Sequence, residues 1–275
     1  MGEEARQDLE TGAASNGAPE PGGPDPHAAM VLSWNMHGGL VAPQNPKPGA
    51  TLGGVKDKEA LLVSLMSGGS RPTVLMGQET EVSSEADQRH VTNMFDALGY
   101  HAYHSIKLRR PGQRKTASGV LVALDKDTFK DHEVLGVIDI VDGKAMAVEV
   151  RTAEGDGVTF INVHGPRSGG EGWDKRAGFW AEIQMYATAR SRATAGQPII
   201  IGGDFNIWLD VPSSPTTKTF LDGWAACDFT RARGGTDNMD PSRLDPAHRM
   251  DSFLVNSSTL PWSATESLWG QGVDP

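Results

Sequence analysis

Five short polar motifs stand where apolar runs of this sequence stop or start. They are Trp34-Asn35, Gln78-Glu79, Asn162-Val163-His164-Gly165-Pro166, Gly202-Gly203-Asp204-Phe205-Asn206, and Arg249-Met250-Asp251 ahead of Ser252-Phe253-Leu254-Val255. Together they offer carboxylates, carboxamides and an imidazole, which bind hard cations, make hydrogen bonds and move protons near neutral pH. The single cysteine, Cys227, excludes an internal disulfide and any cysteine-built zinc or iron–sulfur site, so these groups must carry any metal chemistry. Taken singly, each motif is ordinarily structural: an Asn after a strand forms a turn, a Glu is solvated, a Gly-Gly-Asp is a loop. Five groups of complementary chemistry, all at strand boundaries, are hard to obtain by accident. Strand ends are where a scaffold holds ligands and catalytic groups rigidly while leaving room for substrate.

The elements that must position them follow from apolar periodicity. Val31-Leu32-Ser33-Trp34-Asn35 reads as a buried strand, and Gly38-Gly39 opens a loop through Pro43, Pro46 and Pro48. Leu61, Leu62, Leu65 and Met66 share a helical face, predicting a helix over 57–67 that ends at Gly68-Gly69. Residues 73–76 predict a second strand. Ser84-Glu85-Ala86-Asp87 approximates a capping box before Val91, Met94, Phe95 and Leu98 at helical spacing, with Gly99 as the stop. Strands are predicted over 117–124, 134–141, 144–151 and 158–163, with Asp142-Gly143 and Glu154-Gly155-Asp156-Gly157 as turns, so the middle of the chain reads as an antiparallel meander. Trp173, Ala177, Trp180, Ile183 and Ala187 trace a long amphipathic helix before the strand Pro198-Ile199-Ile200-Ile201, and Phe253-Leu254-Val255 closes the series. Helix-flanked strands around a hairpin-rich middle point to an α+β fold of two facing sheets, each covered outside by helices. No G-x-G-x-x-G follows the first strand and no Walker lysine motif occurs, so a doubly wound dinucleotide fold is disfavoured.

The chain has 275 residues, enough for one large or two small domains, and a net charge of -10, which argues against a generic basic nucleic-acid coat protein. Residues 1–29 hold six acids against Arg6 alone and almost no large apolar residue, so they read as a disordered acidic tail, with 30–275 as the folded domain. An acidic start and the lack of any long apolar run predict a soluble, unsecreted, cytoplasmic protein with no membrane span. No protein partner is inferable from the sequence.

The ordered set Trp34-Asn35, Gln78-Glu79-Thr80, Asn162-x-His164-x-Pro166, Gly203-Asp204-Phe205-Asn206 and Met250-Asp251 resembles the endonuclease/exonuclease/phosphatase (DNase I-like) superfamily over about residues 30–260. The resemblance implies a four-layer αββα sandwich with two central, mostly antiparallel sheets, and divalent-metal hydrolysis of phosphate esters. It implies Glu79 as a metal ligand with Asn35 completing or orienting the site, the metal being Mg²⁺, with Mn²⁺ as the alternative. It also implies catalytic roles for His164, Asp204, Asn206 and Asp251. Asp204 would polarise the attacking water or bind metal, Asn206 would donate to a phosphate oxygen, and Asp251 would orient a second histidine. Gly202 and Gly203 are expected to let the backbone approach the ester. Members close with a Ser-Asp-His motif after the strand at Phe253-Leu254-Val255, and no Asp-His pair follows here. Two readings stay open: a chain that stops short of its catalytic terminus, or a scaffold that has lost one acid–base group.

Lys107, Arg109, Arg110, Arg114 and Lys115 place five bases within nine residues, a run expected to track a phosphate backbone, with Arg167, Arg231 and Arg233 as further phosphate contacts. The expectation is therefore a Mg²⁺-dependent nuclease with nucleic acid as substrate. The alternatives are a phosphatase or phospholipid diesterase of the same fold, or an inactive binding module.

Overall fold

The computed structural model describes residues 30–36, 40, 53–68, 71–82, 84–106, 119–152, 155–167, 173–194, 196–207, 209, 215–232 and 251–259. The predicted acidic tail and the basic run at 107–115 lie outside them. Along the described chain run β1 (Val31–Asn35), α1 (Gly53–Ser67), β2 (Val74–Gln78), α2 (Glu85–Ala97), β3 (Tyr100–Ser105), β4 (Val120–Asp125), β5 (His132–Val141), β6 (Ala145–Thr152), β7 (Gly157–His164), α3 (Trp173–Ala193), β8 (Ile199–Asp204), α4 (Pro215–Ala225), β9 (Phe229–Arg231) and β10 (Asp251–Asn256).

Two mixed sheets carry the strands, a four-stranded one in the order β1-β2-β4-β3 and a six-stranded one in the order β5-β6-β7-β8-β10-β9. Among the described strands only β1–β2 and β7–β8 pair in parallel, and the other neighbours are antiparallel. Side-chain alternation explains why so many strands are apolar on both faces. Val74 and Met76 of β2, with Val120, Val122 and Leu124 of β4, meet Met146, Val148, Val150 and Phe160 of the opposite sheet in a central core. Leu75, Leu121 and Ala123 turn the other way, onto Leu62 and Met66 of α1 and Val91 and Phe95 of α2. Ala145, Ala147, Ile161, Val163, Ile199 and Ile201 turn outward onto Phe179, Trp180, Ile183 and Ala187 of α3 and Trp224 of α4. Three apolar interfaces define four layers, helix–sheet–sheet–helix.

The meander is confined to β5-β6-β7. The strand predicted over 117–124 belongs instead to the other sheet, where β4 lies between β2 and β3. Its partner β3 was not predicted, because Tyr-His-Ala-Tyr-His-Ser offers no apolar face from sequence alone. The stripe of α3 also differs from expectation: Ala177 is exposed and Phe179 takes its place beside Trp180. At the start of α2, Ser84 Oγ accepts from the Asp87 backbone N–H (3.1 Å), as the capping motif requires.

Candidate active site

Sheet register assembles the site. In the parallel pair β1–β2, Asn35 lies opposite Gln78. In the parallel pair β7–β8, His164 lies opposite Asp204, and antiparallel β10 starts with Asp251 opposite Asp204. Parallel neighbours bring their carboxyl ends to the same side, so motifs distant in sequence share one rim. Glu79 follows β2 with φ 52, and Asn206 follows β8 with φ 50. Left-handed backbone is uncommon for residues other than glycine, and its presence at two site positions marks strain of the kind found at functional sites.

Asn35 spans the two sheets: its Nδ2 donates to Asp204 Oδ2 (2.8 Å). The other oxygen, Asp204 Oδ1, accepts from the Asn206 backbone N–H (2.9 Å), while Asn206 Nδ2 donates to Gly165 O (2.7 Å). Glu79 Oε1 lies 3.4 Å from His164 Nε2 and accepts from Arg167 Nη2 (2.8 Å). The Glu79 side chain is only 4 % exposed, whereas that of Arg167 is 69 % exposed, so the guanidinium reaches in from the surface to a buried carboxylate. His164 Nδ1 faces Lys144 Nζ at 3.1 Å. Lys58 of α1 belongs to the same charge cluster: burial lowers its amine below the usual lysine value, and Glu81 and Glu79 oppose that shift.

Beneath the rim is a buried amide pair. Gln78 Nε2 donates to Asn162 Oδ1 (2.8 Å), and Asn162 Nδ2 donates to the carbonyls of Gly77 (2.9 Å) and Leu121 (2.6 Å). Both residues are fully buried. They link the two sheets immediately below Glu79 and His164 and satisfy carbonyls that would otherwise be stranded.

Glu79, His164, Asp204, Asn206 and Asn35 are thus brought together, and Arg167 joins them. Asp251 stands beside Asp204 by register; nothing further is described of its side chain. Lys107, Arg109, Arg110 and Arg233 lie outside the described residues. Arg231 is engaged within the protein: its Nε donates to Ser252 Oγ (3.1 Å) of β10 and its Nη1 to Leu209 O (3.1 Å). One expectation needs correction. Gly202 and Gly203 do not open the backbone to an ester. A Cβ on Gly202 would stand 2.4 Å from the Phe253 ring, and one on Gly203 would stand 2.0 Å from Val163 O, so both glycines serve close packing inside the sandwich.

The donor set suits a hard divalent cation that keeps most of its waters. Glu79 supplies a carboxylate and Asn35 an amide oxygen, and such ions usually take only one or two protein carboxylates. Among the described residues no group of three or more His, Cys, Asp or Glu is placed to hold a metal ion. Sequence reasoning missed Lys58 and Lys144. The signal for Lys144 was the Asp142-Gly143 turn: β6 pairs with β7 so that Ala145 meets Val163, which puts the preceding lysine level with His164.

Among the described residues no helix is long and apolar enough to cross a membrane. By sequence alone the chain matches no curated protein. Its residues 32–267 match the sequence model of the Endonuclease/Exonuclease/phosphatase family. Among solved structures it is similar to the human Nocturnin catalytic domain with bound sulfate (16 % identity, 84 % of this chain and 83 % of that one, TM-score 0.57). It is also similar to a 3'-5' exonuclease from Neisseria meningitidis (14 %, 84 % and 88 %, TM-score 0.56). A third is the mannosyl-6-phosphatase Bt3783 of Bacteroides thetaiotaomicron (15 %, 84 % and 86 %, TM-score 0.55). At such identities the likeness establishes the fold.

Proposed function

Because the chain belongs to the endonuclease/exonuclease/phosphatase family, whose members are generally hydrolases, we propose that it is a Mg²⁺-dependent phosphodiester hydrolase, a nuclease acting on nucleic acid. The reading rests on one observation: Glu79, His164 and an Asp204 held at both oxygens meet on the rim where the two sheets share an end.

Hydrolysis of a phosphodiester needs its charge neutralised, a nucleophile made from water, and the leaving alkoxide stabilised. Glu79 and Asn35 would hold the cation, which when bound supplies charge neutralisation and a more acidic water. Asp204 is fixed by Asn35 on one side and by the Asn206 N–H on the other, so it presents an oriented carboxylate to take the proton of an attacking water. The Asn206 amide gives one hydrogen to Gly165 O and has a second to offer a phosphate oxygen. His164 aims Nε2 at the Glu79 side of the pocket, where it can pass a hydrogen bond or proton to the phosphate. Arg167, already near the anionic site, supplies a planar guanidinium matched to phosphate.

The test is an assay of plasmid DNA, RNA and a chromogenic phosphodiester, each with and without Mg²⁺. Mg²⁺-dependent cleavage that disappears in Asp204→Ala, with the folded spectrum retained, supports the reading. Equal activity in the variant removes Asp204 from it, and no turnover of any of the three substrates favours a binding module. A likeness to a sugar phosphatase keeps a small phosphoester as the second reading, to be separated from the first by its response to salt.

A further inference from the structure

The hairpin between β5 and β6 does more than reverse the chain. Its tip is anchored on three sides: the Gly143 N–H donates to Ser105 Oγ (2.9 Å), Gly143 O accepts from the Gly119 N–H (2.9 Å), and Lys144 O accepts from the His164 N–H (2.7 Å). Lys144 N–H closes the turn onto Val141 O (2.9 Å). Gly143 takes φ 64, the left-handed geometry such a turn demands. A lysine on a free hairpin would sweep a wide volume; this one is fixed at its root, and its Nζ sits 3.1 Å from His164 Nδ1.

An ammonium carries three donors and no acceptor, so the ring nitrogen facing it must accept. We propose that Lys144 is a positioning residue that holds His164 in the Nε2–H tautomer and fixes the ring plane, so that the proton-bearing nitrogen faces Glu79 and the pocket. The two sides of the ring are then complementary, with Nδ1 against a donor and Nε2 3.4 Å from a carboxylate oxygen. Where a catalytic imidazole must hold one tautomer, its partner on the far nitrogen commonly sets it; here a cation does what a carboxylate or carbonyl more often does from the opposite polarity. The inference rests on the hydrolase reading for its consequence, though not for its geometry.

Long-range ¹H–¹⁵N spectra of the full chain near neutral pH test it, with His164→Asn identifying the His164 signals. A protonated Nε2 and an accepting Nδ1 are expected in the wild type and in Lys144→Arg. In Lys144→Met the ring is expected to show both tautomers, and kcat on a chromogenic phosphodiester to fall roughly 10–100-fold with KM little changed. An Nδ1–H tautomer in the wild type, or a Lys144→Met spectrum identical to it, overturns the proposal. The spectra decide the tautomer even if the chain hydrolyses no phosphodiester, so failure of the hydrolase reading is seen separately.

Discussion

Glu79 and Asn206 adopt left-handed backbone although both carry a Cβ, a conformation that costs on the order of 1–3 kcal/mol and persists only where surrounding contacts over-determine it. At Glu79 those contacts are His164 and Arg167; at Asn206 they are the Asp204 carboxylate and Gly165 O. A buried carboxylate so close to an arginine is poised to exchange one cation for another. If Glu79 holds Mg²⁺, a saturating excess of the ion, about 100 times its dissociation constant, raises Tm by about 5–10 °C, and Glu79→Gln loses most of that rise. A differential thermal melt reads this without any substrate. An undiminished rise in the variant moves the cation elsewhere. The residue-level chemistry was legible in the motifs themselves, because Glu, His, Asp and Asn at strand ends announce themselves. Lys144 and Lys58 were not, because a lysine in a turn or on a helix is ordinarily solvated.

Strands and helices turn these side chains into a geometry, and the demand is severe where β7 and β8 approach. Gly203 carries φ 140 and leaves 2.0 Å between an added Cβ and Val163 O, which is backbone and cannot move aside. Gly203→Ala is therefore expected to destabilise the fold by about 3–5 kcal/mol, read from urea midpoints, whereas an alanine at Gly178 of α3, which meets nothing within 4 Å, should be tolerated. On β3, burial pushes the His104 imidazole down to about 4, and the ring keeps a bond to Thr92 Oγ1 (3.2 Å). The folded state therefore resists protonation that the unfolded chain, at about 6.5, accepts. Stability carried by neutral His104 is complete above pH 6.5 and is lost as pH falls toward 4, at up to about 1.4 kcal/mol per pH unit. His104→Phe should flatten that part of the stability profile; an unchanged slope would assign it to other groups. Legibility at this scale followed apolar content. β1, β2, β5–β8 and α2 were readable because their burial is written into periodicity. By contrast, α4 escaped notice: its opening Pro-Thr-Thr-Lys-Thr is poor in helix formers, and it is held by Phe220, Leu221 and Trp224 packing onto the six-stranded sheet.

Viewed whole, an acidic molecule of net charge -10 must bring an anionic substrate to its rim, so any cleavage of nucleic acid depends on local basic groups. Lys107, Arg109 and Arg110 changed together to Ala should weaken DNA binding and flatten its salt dependence, while hydrolysis of a small phosphodiester stays unchanged; equal losses on both substrates would make the run structural. The same salt titration separates the two functional readings, since affinity through several phosphates falls steeply with ionic strength and affinity for a single phosphoester changes little. Sequence by itself determined the composition of the rim, the two-sided burial of the central strands and the helix–sheet layering, because burial periodicity and residue chemistry are local properties of the chain. Only the tertiary structure decided that β4 leaves the meander to lie between β2 and β3, that the glycines of β8 serve packing, that Arg167 reaches Glu79, and that a hairpin lysine faces His164. Those outcomes depend on which distant segments lie side by side, and pairing between strands is fixed by the summed packing of the whole core, which no single stretch of residues encodes.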